Sequence, residues 1–97
     1  MIYSLTEKLQ FEENPKMQIK DTILTVKADA ETVLKLMDIV NNKGEIEGAL
    51  EAASLLFSPK DKKALDALKL SMNDYSVVIA TAMALAVGEN PDEQAGE

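Results

Sequence analysis

From Tyr75 to Gly88 the chain reads YSVVIATAMALAVG without one charged side chain. A helix that is apolar all round must be covered by something. A bilayer is the first candidate, and it fails: a spanning helix needs roughly 20 consecutive apolar residues, more than this run supplies. Nor does the run have the Lys or Arg face that a helix lying on a lipid surface presents to headgroups. Placed at 100° steps, Tyr75, Val78, Ile79, Met83, Leu85 and Val87 cover an arc of roughly 200°, twice the stripe of an ordinary surface helix. The rest of the circumference carries the small residues Ser76, Ala80 and Ala84, with Val77 and Thr81 beside them, and would let another helix approach closely. Two readings follow: the central helix of a compact domain, or a helix that partly faces another protein chain. Tyr75, Val78, Ile79, Ala80, Met83, Ala84 and Leu85 are the candidate interface residues, with Ala80 and Ala84 nearest a subunit contact.

Composition narrows the partner. The 97 residues carry a net charge of −7, and every basic residue is Lys. A reader of phosphate backbones needs a basic face and favours Arg, so nucleic acid is argued against. Glu89, Asp92, Glu93 and Glu97 make residues 89–97 an acidic tail, expected to be flexible and solvated. Hydrophobic residues make up 46 % but aromatics only 4 %, so the core must be built from aliphatic side chains and Ala, which favours helices. The opening MIYSLTEKLQ has no basic stretch leading into a long apolar one, so a signal peptide is not expected and the chain reads as cytoplasmic.

The first third alternates with period two. Leu9 and Phe11, then Met17 and Ile19, then Leu24, Val26 and Ala28 each point one way, and the phase shifts at Lys20-Asp21, as a tight turn or a bulge would require. Short strands are predicted at 8–12, 16–20 and 22–27, forming an antiparallel meander or hairpin. Thereafter the period is helical, and four helices are predicted at about 30–41, 45–57, 59–70 and 72–87. Asp29 is the expected N-cap of the first, whose stripe is Val33, Leu36, Met37 and Val40, with Asn41, Asn42 and Gly44 at its end. The second is expected to bury Ile46, Ala49, Leu50, Ala53, Leu56 and Phe57. Gly48 within it either costs about 1 kcal/mol relative to Ala or permits a close contact. SPKD and SMND open the last two helices in the same way: Ser58 or Ser71 caps, and Asp61 or Asp74 sits at the third position and reaches back. Leu70 and Tyr75 are placed to form a hydrophobic staple, and Gly88 and Pro91 to stop the fourth helix. The fold class expected is α+β, mostly helical, in one small domain over 1–88.

The residues that carry most chemistry are missing. Without His or Cys the commonest general base, the commonest metal ligand and the thiolate nucleophile are all gone. The four glycines are scattered rather than gathered into a phosphate loop. Carboxylate pairs such as Glu12-Glu13 and Asp92-Glu93 read as solvated, and the tail lacks the spacing of a calcium loop. No catalytic, cofactor or metal residue is assigned, and an enzyme is argued against.

The run LLFSPKDKKALDALKLSMNDYSVVIATAMALAVGENP resembles the C-terminal helical half of tail assembly chaperones from long-tailed phages and prophages of Gram-positive bacteria. There a short helix with an LxxLxLS pattern leads into xxDYxxxxxxAxxLxxGE, which ALDALKLSMNDYSVVIATAMALAVGE fits; ILTVKADAETVLKLMDIV resembles the family's strand and first helix. The similarity reaches from about Met17 to Pro91. It implies a non-catalytic factor that coats the long helical tape-measure protein in the cytoplasm of the host bacterium, self-associates, and is absent from the mature virion. It also implies a longer, frameshifted form whose extra domain recruits the tail-tube protein. Two other classes fit the composition: an acidic inhibitor or antitoxin-like protein, and a structural subunit of a phage particle.

Overall fold

The computed structural model describes residues 1–89; of the acidic tail, residues 90–97 lie outside the described part, as does Pro91 as a helix stop. Two strands, β1 (Lys16–Ile19) and β2 (Thr22–Thr25), form an antiparallel hairpin, followed by α1 (Ala30–Asn42), α2 (Glu45–Leu56), α3 (Pro59–Ala67) and α4 (Met72–Ala86). This is the mostly helical α+β class. No helix among the described residues is long and apolar enough to cross a membrane.

The phase shift at Lys20-Asp21 is a two-residue turn, with Lys20 at φ 53°. Met17 pairs with Leu24 and Ile19 with Thr22, so the two alternations meet on one face of the hairpin. Leu24 and Val26 are fully buried there, while Ile23 on the other face stays exposed. The outer edge of β2 is closed by helices: Thr25 N–H donates to the Asp61 carboxylate at 3.0 Å, and Lys27 N–H to the Leu56 carbonyl at 2.8 Å. The second bond also satisfies a carbonyl at the end of α2 that has no partner within its own helix.

The strand expected at 8–12 is not formed. Thr6–Lys8 makes a 3-10 turn instead, and Leu9 and Phe11 stay exposed. Alternation makes a strand only where another strand offers its hydrogen-bonding edge, and no such partner lies beside this segment among the described residues.

All three side-chain caps appear where the sequence placed them. Asp29 accepts from Thr32 N–H at 3.2 Å, Ser58 from Asp61 N–H at 3.2 Å, and Ser71 from Asp74 N–H at 3.1 Å. Asp29 also accepts from the Thr32 hydroxyl at 2.6 Å, which satisfies the buried Thr32 side chain. These two Thr32 bonds, the hydroxyl first, hold the Asp29 carboxyl below the ordinary carboxylate range. Asp61 does not reach back to its own cap; its carboxylate reaches across to β2.

Helix ends depart from expectation in two places. At the end of α1, Asn41, Asn42 and Gly44 do not adopt the left-handed conformation; Lys43 terminates the helix in extended backbone, and Gly44, at φ −68°, is the N-cap of α2. α3 stops at Ala67 rather than 70, because Lys69 turns to φ 52°. α4 ends on Gly88 at φ 86°, with Glu89 N–H bonded to Ala84 C=O at 2.8 Å and Gly88 N–H to Leu85 C=O at 3.1 Å, the paired bonds of a Schellman motif.

The core gathers Leu24 and Val26 from the hairpin, Leu36 from α1, Ala52, Ala53 and Leu56 from α2, then Phe57, Leu65 of α3, and Val78, Ile79, Ala82 and Ala86 of α4. α2 is the hub, packing against α1, α3 and α4, while α3 also meets β2. Alanines on both α2 and α4 leave little side chain between the two helices. Gly48 on α2 faces α1: a methyl added there would sit 3.5 Å from Ile39 Cγ2 and 3.7 Å from Lys43 Cβ, ordinary contact distances, so the fold does not require glycine.

Candidate functional site: an apolar groove between α1, α2 and α4

α4 divides differently from the arcs read in the sequence. Its buried face is centred on Ala82, with Val78 and Ile79 one turn before and Ala86 one turn after. Tyr75, Met83 and Leu85 flank it, half-buried and packed on the core. Val87, on the wide apolar arc, is exposed. Of the small arc, Ser76 and Ala80 face solvent, whereas Ala84 is only 9 % exposed and so nearly closed off. Val78 and Ile79 are therefore core residues, Ala80 is open, and Tyr75, Met83 and Leu85 belong partly to each role. Ala82 and Ala86, to which the sequence pattern assigned no role, continue the 75–78–79 spacing.

Several residues expected in the core are not there. Met37 and Val40 of the α1 stripe are exposed, at 54 % and 59 %, and so are Ile46 and Leu50 of α2, at 72 % and 59 %. The reason is packing: α1 and α4 both lean on α2 but meet each other little, so the apolar faces between them are not covered. The result is a groove with two adjoining parts. One, of about 470 Å³, lies between α1 and α4 and is walled by Leu36, Met37, Val40, Ala80, Met83, Ala84 and Val87. The other, of about 510 Å³, opens among all three helices and is walled by Val40, Ile46, Ala49, Leu50, Met72, Tyr75, Ile79, Ala80 and Met83. Val40, Ala80 and Met83 are common to both.

Charge is sparse in the groove. Lys43 and Glu45 stand at the α1–α2 corner and Glu89 at the far end of α4. Lys43 lies 3.7 Å from Glu47 and 3.9 Å from Glu51, so its ammonium already has acidic neighbours. Met37, Met72 and Met83 supply flexible, polarizable walls that adapt to differently shaped apolar partners. Contiguous exposed apolar surface of this kind marks an interaction site, and a groove between helices suits an amphipathic helix laid along it. Among the described residues no cluster of acidic side chains is arranged to hold a metal ion. When sequence and fold are compared with known proteins, no family model, curated protein or solved structure gives a significant match.

Proposed function

We propose that this chain is a non-catalytic tail assembly chaperone of the long-tailed phage type, which holds the tape-measure protein soluble by taking amphipathic helical segments of it into the groove between α1, α2 and α4. The observation that carries this reading is the open apolar groove, walled by Met37, Val40, Ile46, Met72 and Met83 on a chain that is otherwise strongly acidic. A holdase needs an uncovered apolar surface, and enough like charge elsewhere to stay dissolved while that surface is open; a net charge of −7 serves the second need. The resemblance of residues 17–91 to the chaperone family supplies the identity of the client. In this reading the protein works in the cytoplasm of the host bacterium, a longer frameshifted form recruits the tail-tube protein, and neither form remains in the finished particle.

The test is co-expression with the long helical reading frame nearest the gene. The partner is expected to become soluble and to co-purify, and Met37→Asp or Ile46→Asp, both at exposed groove positions, should abolish capture with helical content unchanged. A partner that stays insoluble beside well-folded wild-type chain would refute the proposal.

A further inference from the structure

The same chain carries a second uncovered apolar element. Residues 1–11 contribute nothing to the core, and Met1, Ile2, Tyr3, Leu5, Leu9 and Phe11 are all more than half exposed. Order in this arm is local: Lys8 donates to the Tyr3 hydroxyl and stands 4.9 Å from the centre of its ring, and Ser4 bonds Thr6. We propose that this arm is an exchange arm, which occupies the groove between α1, α2 and α4 of a second copy of the chain.

Three observations favour a second copy as the occupant. The first is area. From their exposures, the six apolar residues, backbone included, leave on the order of 900 Å² in water, an upper bound on what the arm can bury and of the same order as the roughly 800 Å² per partner of a standard protein interface. Reciprocal exchange would double it. The second is charge. Two chains at −7 repel, yet the only charged side chains of the arm are Glu7 and Lys8, which cancel, and the groove it would enter is nearly uncharged. The third is reach. Gln10 and Phe11 lie beside Val87 and Gly88 at the end of α4, so the arm starts at the mouth of its own groove and leaves that groove empty. Extended, the arm spans about 33 Å. The groove follows α4 for about 22 Å, so the arm is long enough to line a neighbour's groove.

The proposal rests on the groove being a binding surface, as the chaperone reading also requires, but it stands or falls on its own measurement. The chain has no Cys, so single cysteines can be placed without background. Leu5→Cys chains mixed with Ala80→Cys chains should form the mixed disulfide about tenfold faster than Leu5→Cys chains mixed with Leu34→Cys, an exposed position on α1 outside the groove. Sedimentation of the unmodified chain at high micromolar concentration should show a dimer or larger species, and Leu5→Asp/Leu9→Asp should weaken it at least about tenfold with helicity unchanged. A lone monomer would overturn the proposal, as would a Leu5→Cys/Ala80→Cys chain that closes its disulfide only within itself. Client capture by a chain that stays monomeric would sink the arm and leave the chaperone reading intact; arm exchange without client capture would do the reverse.

Discussion

Asp61 and Asp74 occupy the same place in the same motif, the third residue of a helix opened by Ser-x-x-Asp, and the structure gives them different work. Both sit at the positive end of a helix dipole, a contribution of about 0.3–1 kcal/mol. Asp61 alone also accepts from Thr25 N–H, at 3.0 Å in a partly buried setting, whereas the Asp74 carboxylate makes no comparable bond among the described residues. Replacing Asp61 by Ala leaves that N–H unpaired, at about 1–3 kcal/mol. The total for Asp61→Ala is then about 2–3 kcal/mol, against about 0.5 for Asp74→Ala. Asp61→Asn keeps an acceptor but loses its charge, and should fall between them, at about 1 kcal/mol. Urea unfolding followed by circular dichroism resolves the series: with m near 1–1.5 kcal/mol/M for so short a chain, Asp61→Ala should lower the midpoint by about 1.3–3 M. Equal losses for Asp61→Ala and Asp74→Ala, or an Asp61→Asn as damaging as Asp61→Ala, would refute the bridging role.

Gly48→Ala should raise stability by about 0.5–1 kcal/mol, since the added methyl meets Ile39 and Lys43 at contact distance; a loss in thermal unfolding would mean α1 and α2 lie closer than described. Gly88→Ala should cost about 1 kcal/mol, because φ 86° strains any side chain. Lys69→Gly, at φ 52°, should do the opposite by about 0.5–1 kcal/mol, and an unchanged melting temperature would count against the left-handed stop of α3. The Asp29 carboxyl is held below its unfolded value, so its contribution is complete above pH ~4 and fades as pH drops through the folded value. Stability measured from pH 6 to pH 2 should therefore fall less steeply for Asp29→Asn than for the wild type.

What was legible in the sequence is what is settled locally. A capping serine needs only its own next three residues, and a two-residue turn needs only the alternation on either side. Hence Ser58, Ser71, Asp29 and the hairpin lie where their residues predicted. What was not legible depends on which neighbour arrives. The periodicity of Val33, Leu36, Met37 and Val40 identifies an apolar face, but only the lean of α1 toward α2 decides that Leu36 is covered and Met37 is not. Leu9 and Phe11 alternate like a strand and lack only a partner edge. The candidate residues of α4 were found by their lack of charge, and the division among them followed Ala82, which fits the 75–78–79 spacing but carries too small a side chain to stand out as central. The groove itself was invisible: Met37, Val40, Ile46 and Leu50 read as core, Tyr75, Ala80, Met83 and Ala84 as an interface, and nothing local said that the two sets face each other.

The bond from Lys27 N–H to the Leu56 carbonyl has a consequence for how the molecule comes apart. A lone two-stranded hairpin is marginal in water. Here its outer edge is fastened to residues far along the chain, 36 positions away for Thr25 and Asp61. The Thr25–Lys27 end of the hairpin therefore cannot fray while the helices stay docked, nor can the end of α2 loosen without exposing a strand. Amide exchange at Thr25 and Lys27 should accordingly require global opening, placing these two protons among the slowest to exchange although they sit at the margin of the smallest possible sheet.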